Sequence, residues 1–303
     1  MMIRFLFNVN RLFLIFMTLF CGFMFHVSPL LAAVDLDEIK QAGVLRHLGV
    51  PYANFVSGAG DGMDVELMQR FAAYLGVKYQ YVQTDWSQVV SDLTGKQYQV
   101  KGLNVVEIGT APIRGDIIAN GMTIIPWRQK VVQFATPTFP TQVWLVARAD
   151  SPLKPITPSG SISQDIDKVK TALAGRKTLG KLDTCLDPSL YSVEQAGAQV
   201  ILFPGSLNEI APALLKGEAE LTLLDVPDAL VALQKWPGKI KILGPISDRQ
   251  DMAPAFRPDS PKLRIAFEEF LVTLKRDGGF RQLIEKYYPF VLDYYPEFIS
   301  DAR

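Results

Sequence analysis

Apolar positions along this chain switch between a period of two and a period near three and a half, and the order of the switches predicts the elements. Val44-Leu45-Arg46-His47-Leu48-Gly49-Val50 has the apolar run of a strand, stopped by Pro51. Met63, Leu67, Met68, Phe71 and Leu75 then recur at helical spacing, with Gly76 as the stop. A second strand at Val77–Val82 and a second helix marked by Trp86, Val89, Val90 and Leu93 follow, ended by Gly95. Strand–helix–strand–helix order predicts an α/β lobe with a largely parallel sheet.

Residues 97–114 break that rhythm. Tyr98–Val100 and Val105–Ile108, parted by Gly102, predict an inserted β-hairpin. The regular alternation resumes with a buried strand from Asp116, a short helix from Pro126 that contains Arg128, and a strand at Val143–Ala147. Ser151–Ser163 is rich in Pro, Ser and Gly and reads as a boundary. A second block repeats the pattern. Helices are predicted at Asp165–Leu173, Pro188–Ala196, Leu207–Leu215 and Pro227–Leu233, and strands at Lys177–Leu182, Gln199–Phe203, Ala219–Leu224 and Ile240–Leu243. An extended stretch at Met252–Arg257, an amphipathic helix at Pro261–Arg276 and a last helix at Phe280–Tyr288 close the chain. Two α/β blocks, with the final helices crossing back, imply two lobes joined by two crossover segments. The limits expected are 34–147 with 248–303 for the first lobe and 148–247 for the second.

Composition changes this picture at one end only. Arg4 and Arg11 precede an apolar stretch from Leu12 to Val27, Ser28-Pro29 breaks it, and Leu31-Ala32-Ala33 supplies small residues before the first acid, Asp35. Basic, apolar and small-residue segments in that order describe a secretory leader over residues 1–33, and hence export to the periplasm. An uncleaved anchor is the competing reading, disfavoured by the helix-breaker and small residues. Without the leader, 29 basic residues face 31 acidic ones, because two of the 31 basic residues lie within it. No basic surplus calls for nucleic acid. Cys185 and His47 are then the only cysteine and histidine, too few for an internal disulfide or a metal cluster. No cofactor is expected, and no acid–base pair or nucleophile constellation stands out.

Three stretches together resemble the amino-acid-type family of bacterial extracellular solute-binding proteins. They are Gly62-Met63-Asp64-Val65-Glu66-Leu67, the run from Asp116 through Gly121-Met122-Thr123 and Pro126-Trp127-Arg128 to Phe134, and the end from Ala255-Phe256-Arg257 to Tyr287-Tyr288-Pro289. The resemblance implies a type II periplasmic-binding-protein fold, with a solute held between two lobes and passed to a membrane permease and its ATPase. It places Arg128 where the family grips a ligand carboxylate, and a guanidinium fork suits that task. It places Gly121 and Thr123 beside the same group, and Asp225 where an acid holds an α-amino group. Asp225 also sits at the end of an apolar strand before Pro227, so a helix cap is the alternative.

Tyr52 and Phe55 fall where the family sets an aromatic against the ligand, with ordinary packing as the other reading. Thr184 falls in the family's anion-binding turn, but Asp183 and Asp187 put negative charge there and depart from the pattern. Cys185 reads as a buried thiol rather than a cleft residue. Asp64 and Glu66 are assigned to the first turn of their helix, and Trp86, Trp127, Thr136, Phe139 and Trp144 to structure. The expected protein is a monomeric carrier of an amino acid or related carboxylate for an ABC permease of the inner membrane. Two alternatives share the scaffold: a dehydratase-like periplasmic enzyme, and a signalling binder that uses the 97–114 hairpin as its contact surface.

Overall fold

The computed structural model describes residues 35–58, 60–296 and 298. The expected leader over 1–33 lies outside them. Among the described residues no helix is long and apolar enough to cross a membrane.

The first sheet follows from the first run of alternating elements. Val44–Gly49 lies inside it, parallel to Lys78–Gln83 on the edge side and to the central Ile117–Ile118 on the other. Ala255–Phe256 then adds antiparallel to Ile117–Ile118, and Gln133–Phe134 antiparallel to it. Leu45 and Leu48 are fully buried, as an interior strand covered on both faces requires. The helix Met63–Leu75 turns Met63, Leu67, Met68 and Phe71 inward, and Phe71 meets Phe267 and Phe270 of the helix Pro261–Arg276 at 5.2 and 5.3 Å. That contact is why the C-terminal chain returns to this lobe. His47 is wholly buried between Tyr79 Oη (2.9 Å) and the Ala119 carbonyl (2.5 Å), and burial pushes its imidazole down to about 4. It is a structural residue, as expected beside a strand.

The second sheet has the spatial order Gln199–Leu202, Lys177–Gly180, Leu221–Asp225, Val143–Arg148, Ile240–Pro245. Its first three strands are parallel, and Val143–Arg148 runs antiparallel to both neighbours. The chain passes between the sheets along Phe139–Thr141 and back along Gln250–Met252, and these two segments pair antiparallel. The sequence reading carried Val143–Ala147 with the first lobe. Its register against Leu221–Asp225 puts it in the second sheet instead, because an all-apolar strand is covered on both faces there.

One predicted helix is much shorter than expected. Pro188–Ala196 forms only a 3-10 turn over Pro188–Tyr191, and Ser192 leaves it with φ 55°. Helical spacing within 188–196 lost to a local tie, since the Tyr191 hydroxyl donates back to the Cys185 carbonyl at 2.6 Å.

The hairpin forms from Lys96–Lys101 and Asn104–Thr110. Tyr98, Val100 and Val105 pack on a cluster that contains Leu48, Val90 and Trp127. Leu190, from the second lobe, packs on the same cluster, while Val106 and Ile108 face outward and are exposed.

Candidate functional site

The carboxyl ends of the parallel strands of the two mixed sheets are brought together by hydrogen bonds between the lobes, and the loops after these strands build the site. Open α/β sheets place ligands at these carboxyl ends. In the first lobe the turn after Val44–Gly49 is tight: Tyr52 N–H donates to Val56 O at 2.9 Å and Phe55 N–H to Tyr52 O at 3.1 Å. The Tyr52 ring stacks on Phe55 (5.9 Å) and meets Trp86 edge-on (5.6 Å). Phe55 lies behind it, packed on Phe139 and Tyr288 at 5.0 Å each, which makes it a core residue as much as a site residue.

Gly121 is where the backbone comes closest. Its φ is 64°, and a Cβ there would stand 2.3 Å from the Phe55 ring, so only glycine fits. Its N–H donates to Asp64 Oδ2 at 2.7 Å. Burial raises the Asp64 carboxyl to about 7, and the Gly121 N–H opposes the rise. Asp64 therefore serves the neighbouring loop rather than only its own helix. The spacing within 62–67 gave no sign of this partner, 57 residues away.

Arg128, 1% exposed, is held between Trp86 and Trp127, with its guanidinium carbon 5.4 Å from each ring centre. Nη1 donates to Thr123 O at 3.0 Å, and Nη2 crosses to the second lobe to reach Asp183 O at 3.2 Å. Nε of Arg128 and Oγ1 of Thr123 are buried without a hydrogen bond. Burial pulls the guanidinium pKa down, against the pull of nearby Cys185, Tyr191 and Asp183. Trp86 and Trp127 are thus part of the arginine's seat, and their isolated positions in the sequence carried no signal of it.

In the second lobe Asp225 ends its strand and caps the helix Val226–Lys235, accepting from Asp228 N at 3.4 Å. The cap alternative is therefore realised, and the same carboxylate also faces the first lobe. Its Oδ1 also accepts from the Tyr52 hydroxyl across the cleft, and its Oδ2 accepts from the Cys185 thiol at 3.2 Å. Burial raises the Asp225 pKa, with Tyr52 and Cys185 opposing. Asp228 rises well above the usual carboxylate range, through burial and then the charge of Asp225. Burial and Asp225 likewise push the Cys185 thiol well up. Cys185 is indeed buried, yet it touches the acid of the site.

The turn from Lys181 to Leu186 differs from an anion-binding turn in a specific way. Thr184 Oγ1 donates to Lys181 O (2.8 Å) and accepts from Leu186 N (3.0 Å), so its hydroxyl closes its own loop. Asp183 takes φ 62° and turns its carbonyl, an acceptor, toward Arg128. Asp187 caps the following turn through Ser189 N at 2.9 Å. Outside these contacts, a cavity of about 460 Å³ opens between the lobes, lined by Pro51, Trp86 and Ser87 on one side and Lys181, Asp183 and Ser206 on the other. Arg128, Thr123, Tyr52 and Asp225 therefore converge, while the Thr184 hydroxyl and the Phe55 ring are occupied elsewhere.

Comparison with known proteins bears on this arrangement. Residues 110–290 match the family described as bacterial extracellular solute-binding proteins, family 3. The chain belongs to that family. A probable amino-acid ABC transporter-binding protein of Haemophilus influenzae is 25% identical over 229 residues, 75% of this chain and 76% of that one. Holo ArgBP from T. maritima superposes with a TM-score of 0.61 at 26% identity, covering 83% of this chain and 99% of ArgBP. The architecture is accordingly the two-lobed type II fold of periplasmic binding proteins. Family 3 relatives also include the membrane-bound lytic murein transglycosylase F of Desulfosudis oleivorans, 24% identical over 231 residues. That match covers 75% of this chain and only 44% of the transglycosylase.

Proposed function

We propose that this family 3 protein captures a small amino-acid-like or carboxylate solute between its lobes in the periplasm and delivers it to an ABC permease. The observation that carries the reading is the placement, on opposite lobes, of a buried cation, Arg128, and a buried acid, Asp225, each held by other groups of the cleft. A guanidinium from one lobe and a carboxylate from the other match the two charged ends of an amino acid. The amino-acid transporter-binding relative of Haemophilus influenzae supports the same class. Export rests on the leader pattern in residues 1–33.

The protein is read as a monomeric binder rather than an enzyme. Isothermal calorimetry of residues 34–303 against the common amino acids and small carboxylates is the direct test. Micromolar or tighter binding is expected, and Arg128→Ala should weaken it at least a hundredfold, as for the loss of a bidentate charged pair. Binding unaltered by Arg128→Ala would remove the assignment. Turnover of a bound panel compound, followed by mass spectrometry, would replace the carrier by a catalyst.

A further inference from the structure

The geometry points to Tyr52 as the specificity-determining residue of the cleft: its phenol holds the Asp225 oxygen that a ligand's cationic group would take, so that capture exchanges one donor for the other. The inference rests on the reading of Asp225 as the acid that receives the ligand.

Hydrogen bonds cross the cleft among the described residues, and chain atoms fill both halves of a zwitterion's site. Tyr52 Oη donates to Asp225 Oδ1. Asp183 O accepts from Arg128 Nη2 at 3.2 Å. Beside Tyr52, the Ala53 N–H donates to Asn208 Oδ1 at 2.8 Å, with Ala53 at φ 45°. The other donors to Asp225, the Cys185 thiol and the Asp228 N–H, come from its own lobe. Tyr52 is therefore the donor to Asp225 whose bond ties one lobe to the other. Its position is fixed independently by the Val56 carbonyl, the Phe55 stack and the Trp86 edge contact.

The exchange favours one chemistry. A phenol on a carboxylate is a neutral donor on a charged acceptor, whereas an ammonium or guanidinium forms the stronger doubly charged bond. A cationic group gains on replacing Tyr52, and a neutral hydroxyl or amide gains nothing. The cleft thus discriminates for ligands with a protonated amine or guanidine against neutral analogues of the same shape. Because the tied form competes with the ligand, the apparent affinity is lowered by the fraction of molecules that are tied.

Cys185 provides a reporter, being the sole cysteine of residues 34–303 and bonded to the same carboxylate. Its reaction with a disulfide reagent should be slow in residues 34–303 and roughly ten- to a hundredfold faster in Tyr52→Phe, the factor for losing one hydrogen bond to a charged group. Circular dichroism and the rate in full denaturant, equal in both proteins, separate cleft opening from unfolding. Asn208→Ala removes the neighbouring bond across the cleft while leaving Cys185 and its acceptor untouched, and combined with Tyr52→Phe or alone it should also accelerate the reaction, which keeps the test open if Tyr52→Phe fails to fold. An unchanged rate in the folded variants overturns the proposal. L-arginine serves as the ligand probe: Tyr52→Phe should bind it more tightly by the same factor as the rate gain. Accelerated labelling with no L-arginine binding in either protein supports the tie and counts against the amino-acid reading alone.

Discussion

The two walls of the cleft are built on opposite plans. The first-lobe wall, with Tyr52, Gly121, Thr123 and Arg128, is set by packing: Gly121 lies against the Phe55 ring and Arg128 between two tryptophans. The second-lobe wall, with Asp183, Thr184, Cys185 and Asp225, is set by local hydrogen bonds, each loop closing largely on itself. The family resemblance falls on the first wall and on Asp225 of the second, while the turn from Asp183 to Asp187 departs from it. A seat made of rings and a buried backbone leaves no room for an added atom, whereas a turn closed by its own side chains depends on its local hydrogen bonds.

Breaking the first wall should have the largest effect. Gly121→Ala puts a Cβ into the Phe55 ring at a positive φ, and unfolding in urea should reveal a loss of about 3 kcal/mol. A loss below about 1 kcal/mol would mean that the loop moves freely and that packing does not set this wall.

The second effect is a pH dependence behind the same wall. Asp64 is raised to about 7 in the folded protein, above its ordinary 3.8. The folded state then binds more protons than the unfolded one between these values, so this contribution is present at low pH and lost as pH rises from about 4 to 7. His47, lowered from 6.5 to about 4, contributes the opposite slope, losing stability as pH falls from 6.5 to 4. The two slopes, each at most about 1.4 kcal/mol per pH unit, offset each other over that range. Asp64→Asn, which keeps an acceptor for the Gly121 N–H, should expose the His47 slope: denaturation midpoints that fall on acidification below pH 6.5. Midpoints with the same pH profile as the parent would exclude Asp64 as a titrating group.

The smallest effect sharpens the contrast on the second wall. Asp183→Gly relieves an L-residue at φ 62° and keeps the carbonyl that Arg128 meets. Thermal melting should register a gain of about 0.5–1 kcal/mol. A loss instead would show that the Asp183 side chain, and not only its backbone, sustains the turn.

Much of this was legible along the chain. The strands at 44–50 and 221–224 and the helices at 63–75 and 261–276 follow from apolar spacing, because a buried strand or an amphipathic helix writes its period into adjacent residues. Arg128 and Asp225 were singled out through the family resemblance, after a Gly-Met-Thr turn and an apolar strand, and the structure buries both. Trp86 beside Arg128, Asp64 beneath Gly121 and Asn208 against Ala53 were not, since each partner lies 42 to 155 residues away and no local pattern marks it. The predicted helix at 188–196 failed for a different reason: a bond from Tyr191 back to Cys185, six residues away, outweighed helical spacing.

What the sequence determined by itself was the two-block α/β order, the basic–apolar–small-residue order of residues 1–33, and Arg128 and Asp225 as charged candidates on which the family resemblance falls. Those features depend on neighbours in the chain. The tertiary structure alone decided that Val143–Arg148 belongs to the second sheet, that Asp183 offers a carbonyl to Arg128, and that the Tyr52 phenol lies on Asp225. Each is a contact between segments far apart in sequence, fixed only when both sheets have formed and their ends meet.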